Sequence, residues 1–179
     1  MNDKKGFVCS TCGEYHDELP MSYRSPAPYY WFLINTDEPE KRHKLTSDLC
    51  VIDNKHFFIR GCIEIPVEGQ KQPFIWDVWV SLSQENFERS IKLWNEKGRE
   101  EKLEPMFGWL STSLPNYPET LNLKTMVHTR QVGISPYIEL EPTEHPLAVE
   151  QREGITLARV KEIAEEICNS NSESETENS

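Results

Sequence analysis

Apolar residues recur along this chain with two different periods. Across QENFERSIKLWNEK they fall at Phe87, Ile91 and Trp94, an i, i+4, i+7 stripe on one face of a helix that Ser83 can cap and Gly98 can end. A second stripe, Leu157, Val160, Ile163, Ala164 and Ile167, runs through LARVKEIAEEIC behind Thr156 as N-cap. Ahead of the first helix the period drops to two. LCVI, HFFIRGCIEIPV and FIWDVWVSL are rich in β-branched and aromatic residues, are parted by DNK and EGQKQ, and read as a meander of strands. LNLKTMVHTR and PYIELE read as two more strands, behind a proline-rich loop, LPNYPET. The longest apolar run, YYWFLI, reads as a core segment. Strands joined by short turns, with two helices set apart, predict an α+β fold built on an antiparallel sheet of about five strands.

The turns set a register for the meander. With DNK as the first turn, Cys50 lies opposite Phe58. With the second turn centred on Gly69 and Gln70, Cys62 faces Asp77 and Ile63 faces Trp76. Side chains alternate across a strand, so one face carries Val51, Phe57, Ile59, Ile63, Ile65, Phe74, Trp76, Val78 and Val80 and is the expected core. The opposite face carries Cys50, Phe58, Arg60, Cys62, Glu64, Ile75, Asp77, Trp79 and Ser81. It is mixed in character, and chemistry on the sheet is expected there.

Composition narrows the classes open to such a fold. A chain of 179 residues, 37% hydrophobic, suits a single domain with a modest core, taken as residues 1–168. Three of its eleven net negative charges sit in the closing NSNSESETENS, a low-complexity segment (residues 169–179) expected to be a disordered acidic tail. The body keeps a net charge of −8, which leaves no broad basic surface for phosphate and argues against nucleic acid as a partner. No run approaches the ~20 apolar residues that span a bilayer. The start, MNDKKGF, lacks the apolar stretch of a secretory signal, so the expected location is cytoplasmic, with no membrane partner. Thiols stay reduced there, and the five cysteines are not expected to form a disulfide framework.

The opening GFVCSTCGEYHDELP then carries the clearest chemistry. In C-x-x-C-G the thiolates of Cys9 and Cys12 can grip one metal, with the glycine supplying the positive φ that aims backbone N–H groups at the sulfurs. His16 is a fair third donor, because a hairpin rising from the knuckle returns it to the metal. Zinc wants a fourth, and Cys62 is preferred, with Cys50 as its alternative. Both cannot serve, since four residues of ladder separate them by ~13 Å, unless a bulge at Gly61 intervenes. A thioredoxin-like redox pair fits less well, as CGEYHDELP does not read as a helix start. Cys168, late on the last helix near its apolar stripe, reads as packing.

On the mixed face Arg60, Glu64, Asp77 and Trp79 cluster on neighbouring strands, a set able to hold a small polar ligand or to do acid–base work. The competing reading, a face of cross-strand ion pairs covered by a loop or by solvent, is preferred. His128 and His145 could add a base, but each reads first as structural. No Ser-His-Asp order, phosphate loop, HExxH or dinucleotide fingerprint appears, so evidence for an enzyme is thin. Trp109, in FGWLSTSLPNYP, reads as a loop residue that either lines a groove or packs over the sheet.

FVCSTCGEYHDELP, SDLCVIDNKHFFIRGCIEIPV, FIWDVWVSLSQENF, FGWLSTSLPNYPETLNLKTMVHTR and the very specific EHPLAVEQREGI together resemble an uncharacterised bacterial family of unknown function. The resemblance spans nearly the whole chain up to the last helix. It implies a soluble bacterial domain and brings no activity or catalytic residue with it. The expectation is therefore a zinc-stabilised binding or interaction module for an unknown protein or small molecule. The alternative is a small-molecule enzyme, hydrolytic in type, working from the polar sheet face, and a zinc ribbon on nucleic acid ranks third.

Overall fold

The computed structural model describes residues 6–10, 12–34 and 43–176, with side chains described as far as residue 171. A short hairpin, β1 (Phe7–Val8) and β2 (Tyr15–His16), leads to β3 (Ser22–Arg24) and a 3-10 turn, Tyr29–Leu33. Strands β4 (Lys44–Leu45), β5 (Leu49–Ile52), β6 (His56–Ile65) and β7 (Phe74–Leu82) follow, then helices α1 (Gln84–Lys92) and α2 (Arg99–Lys102). Strands β8 (Met106–Leu110), β9 (Lys124–His128) and β10 (Tyr137–Leu140) precede helices α3 (Pro146–Glu153) and α4 (Leu157–Thr176).

The meander has the register its turns predict. Cys50 pairs with Phe58, Cys62 with Asp77 and Ile63 with Trp76. Asp53 and Asn54 turn the first corner at φ 55° and 53°, a left-handed pair that Asp and Asn tolerate better than bulkier residues. The ladder from Phe57↔Leu82 to Ile65↔Phe74 runs without a break, so Gly61 makes no bulge.

The sheet is nevertheless not the open antiparallel one expected. Strands β6, β7, β8, β9 and β10 close into a five-stranded barrel, with β3 and the β5–β4 pair extending from it. Each long strand changes neighbour midway. The first half of β6 pairs with β5, whereas Cys62 in its second half pairs parallel to Tyr137 of β10. Ile75 to Asp77 of β7 pair parallel to β3, and Val80 and Ser81 pair with β8. A right-handed twist turns the two halves of a long strand toward different partners. Two glycines permit the close approaches. A Cβ on Gly61 would lie 2.6 Å from Ile138 Cδ1, and one on Gly108 would lie 2.3 Å from Val80 Cγ1 and 2.4 Å from the Ser81 carbonyl.

The predicted core face holds. Ile59, Ile63, Ile65, Phe74, Trp76, Val78 and Val80 are buried together with Leu110, Val127, Ile138 and the α4 residues Val160 and Ile163. The other face splits in two. At one end Cys50, Ile52, Phe58 and Trp79 form a second small core, and at the other the polar side chains pair among themselves. The YYWFLI run is not a buried segment. In a 3-10 turn side chains three apart align, so Trp31 and Ile34 pack on the second core while Phe32 and Leu33 are each 63% exposed. FGWL is likewise not a loop. Strand β8 turns Met106, Gly108 and Leu110 inward and Phe107 and Trp109 outward.

Helix α1 is capped by Ser83 as expected but stops at Lys92, leaving Ile91 41% exposed. Beyond it Arg99 is only 4% exposed, and among the described residues no carboxylate forms a salt bridge with it. It donates instead to the carbonyls of Trp94, Arg130, Gln131 and Ile134. EHPLAVEQREGI, the most specific string, folds as α3. His145 caps it by accepting the Leu147 N–H, and Pro146 opens the first turn. Gln151 accepts from the Leu140 N–H and donates to the Ile138 carbonyl, standing in for a neighbouring strand beside β10. Helix α4 begins as predicted and runs to Thr176, past Cys168, so the segment expected to be a disordered tail opens as helix.

Candidate metal centre

Strands β1 and β2 pair Phe7 with His16 and Val8 with Tyr15, and the two cysteines sit in the turn between them. The turn is closed by backbone bonds from the Gly13 N–H to the Cys9 carbonyl (2.9 Å) and from the Cys9 N–H to the Glu14 carbonyl (2.9 Å). Gly13 has φ 71°, the left-handed geometry the motif requires. The hairpin brings His16 back over the knuckle, where its Nε2 lies 3.4 Å from Cys12 Sγ and its ring stacks on Phe7. The donor atoms of Cys9, Cys12 and His16 all lie within 4.8 Å of one another. Cys9 is buried, whereas Cys12 is exposed.

Neither cysteine expected to complete the set joins this cluster. Cys62 donates its thiol to Asp77 Oδ1 at 3.1 Å, and burial followed by that hydrogen bond pushes it up to about 12. Cys50 is fully buried in the second core, and burial pushes it also up to about 12. Both are engaged away from the knuckle, Cys62 with Asp77 on the sheet and Cys50 inside the second core. The cysteine that does approach is Cys168 on α4. Its sulfur lies outside the 4.8 Å set, but its thiol interacts with those of Cys9 and Cys12, and the interaction with Cys9, ahead of the other causes, raises it to about 11. The sequence signal was present in the thiol itself, but its place on an apolar-striped helix suggested packing.

The expected ligand face of the sheet proves to be internally paired. Arg60 meets Asp77 at 3.2 Å and Asp48 at 2.7 Å, and its Nε donates to the Ser47 carbonyl at 2.6 Å. Arg60 and Asp77 thus share a face as the register required, but Asp48 and Ser47 come from the corner before β5. Glu64 does not join them. It pairs with Arg130 at 2.6 Å, and that guanidinium lies over the Tyr137 ring. Trp79 is fully buried and donates its indole N–H to the Ser25 carbonyl at 2.9 Å, so it is withdrawn from any ligand. Of the two histidines weighed as bases, His128 pairs with Glu139 at 2.6 Å and His145 caps α3.

A separate cavity of about 550 Å³ opens beside β5, β6 and β8, lined by Tyr30, Ile52, His56, Phe58, Trp109 and Asn122 among others. Tyr30 stacks on Phe58 with ring centroids 6.2 Å apart, and Trp109 is 41% exposed. The groove-lining role weighed for Trp109 is therefore the one its position allows.

Together these features define a small α+β barrel protein with an N-terminal Cys/His knuckle. No described helix is long and apolar enough to cross a membrane. No curated protein and no solved structure matches the chain. The chain belongs to the family described as uncharacterized protein conserved in bacteria (DUF2199), whose model matches residues 8–155.

Proposed function

We propose that this protein is a zinc-stabilised binding module, with a structural metal centre at the knuckle and an aromatic-walled cavity on the barrel. The convergence of two thiols and an imidazole within 4.8 Å carries the metal half. Zinc takes thiolate and imidazole donors together, at ~2.3 Å and ~2.0–2.1 Å, whereas magnesium and calcium want oxygen. The centre serves the fold rather than a reaction in this reading, since the cavity and the cluster share no residue. Zinc analysis of purified protein, with melts before and after chelation, tests it. About one zinc per chain and a lowered melt on chelation are expected. A zinc-free chain whose melt ignores chelators under reducing conditions refutes it.

The cavity supports the binding half. Its volume of about 550 Å³ falls within the ~300–1,000 Å³ of small-molecule sites. Stacked aromatics together with polar groups such as His56 and Asn122 in its lining suit a flat, partly polar molecule. The polar sheet face offers less, because Arg60, Glu64 and Asp77 are already engaged with protein partners. An enzyme working from that face would first have to break those pairs.

A further inference from the structure

We propose that Cys168 is the fourth metal ligand, so that α4 closes the knuckle as a Cys3His site and is itself held in place by the metal. The inference rests on the zinc reading above and adds the donor that the hairpin cannot supply. A structural zinc site takes four protein ligands, and the hairpin brings three.

Helix α4 is oriented to deliver the fourth. Its Val160, Ile163 and Ala164 are buried in the core, which fixes the rotation of the helix about its axis. Lys161, Glu165 and Cys168 then fall on one neighbouring stripe, at i, i+4 and i+7. The first two already grip the hairpin. Lys161 Nζ stands 5.9 Å from the Phe7 ring centroid, and Glu165 Oε1 accepts the Ser10 N–H at 3.2 Å, from a residue between the two cysteines. Moving down the helix from Lys161 to Glu165 moves along the hairpin from its strand to its turn. The next position on the stripe is Cys168, whose thiol interacts with those of Cys9 and Cys12.

The chemistry is consistent with this placement. As each Zn–S bond forms, that thiol gives its proton to solvent. Three thiolates, a neutral imidazole and Zn²⁺ leave a single net negative charge, a donor set that structural zinc sites use. Bringing a third thiol to the knuckle has no packing advantage over an apolar side chain there, whereas a shared cation would draw it into coordination. The matched family region ends at residue 155, so the ligand that completes its knuckle comes from beyond that region.

X-ray absorption of the zinc-loaded full chain tests the assignment directly. Three sulfurs at ~2.3 Å and one nitrogen at ~2.0–2.1 Å are expected. In chelator competition, Cys168→Ser should weaken zinc binding by more than the ~10–100-fold that loss of a supporting hydrogen-bond partner costs, and Cys62→Ser should leave it unchanged. Hydrogen exchange around Cys168 should accelerate on zinc removal. Two sulfurs in the wild-type spectrum, or full affinity in Cys168→Ser, would overturn the role of Cys168 while leaving the knuckle intact. Unchanged exchange would overturn the hold on α4, and a chain that takes up no zinc would overturn both readings. Should Cys168→Ser fail to fold, the wild-type spectrum decides alone.

Discussion

Replacing Arg60 by alanine removes one side chain that touches two carboxylates and a backbone carbonyl. Its guanidinium reaches Ser47 O at 2.6 Å, Asp48 Oδ1 at 2.7 Å and Asp77 Oδ1 at 3.2 Å. The arginine side chain is 12% exposed, Asp77 21% and Asp48 37%, so the network lies between the surface and the interior. An exposed pair is worth ~0–1 kcal/mol, and breaking a fully buried one costs ~3–5 kcal/mol. Asp77 keeps the Cys62 thiol as a donor and Asp48 keeps the Ser47 hydroxyl, which softens the loss. The expected cost of Arg60→Ala is therefore about 2–4 kcal/mol, between those limits. At roughly 3 °C per kcal/mol for a chain of this size, the melt should fall by about 6–12 °C. Urea titrations of zinc-loaded protein at neutral pH would measure it, and a double-mutant cycle with Asp77→Asn should yield a coupling of about 1–2 kcal/mol. A cost below about 0.5 kcal/mol, the scale of an ordinary surface substitution, with additive single mutants, would show that Arg60 of β6 does not join the corner at Ser47 and Asp48 to Asp77 of β7 in solution.

Further outcomes follow from the same geometry. Gly61→Ala and Gly108→Ala should each destabilise the barrel by more than the ~1–3 kcal/mol of ordinary overpacking, because the added carbon meets backbone as well as side chain; a neutral result in urea would contradict the closure. Arg99→Lys should lower the melt clearly, since a single ammonium cannot span the four carbonyls that the guanidinium joins, and an unchanged melt would refute that clamp. Partial burial of Asp48 favours its neutral form, but hydrogen bonds from Ser47 and Arg60 outweigh it and hold the carboxyl below 3.8. Its contribution to stability is thus present above pH 3.8 and lost as pH falls through the lower folded value, so Asp48→Asn should cost stability at neutral pH and little in stronger acid. Binding to random oligonucleotides should be negligible at ~150 mM salt, because phosphate contacts need clustered bases and the body carries −8. The densest basic run, KRHK, includes Lys41 and Arg42, which lie outside the described residues, and submicromolar binding would overturn this expectation.

Local patterns were legible wherever one period and one turn sufficed to decide the outcome. Alternation between Phe57 and Val80, pinned by DNK and by Gly69, determined the hairpin register and hence which residues enter the core. The spacing of Cys9, Cys12, Gly13 and His16 likewise determined the knuckle, since a few residues of backbone bring all three donors together. The tertiary structure decided everything that depends on which distant edges meet. Alternation says which way a side chain points but not which strand lies beside it, so barrel closure at Tyr137 and Cys62, and the need for glycine at positions 61 and 108, could not be read in advance. The same limit governed the polar face. Arg60 and Asp77 were placed on one surface, but the strand-edge corner carrying Asp48 and the turn carrying Trp31 cover it through long-range packing that leaves no local period. Cys168 shows the limit most clearly. Helical spacing put it on a stripe with Lys161 and Glu165, yet only the docking of that stripe on a hairpin at the other end of the chain gives the thiol its neighbours.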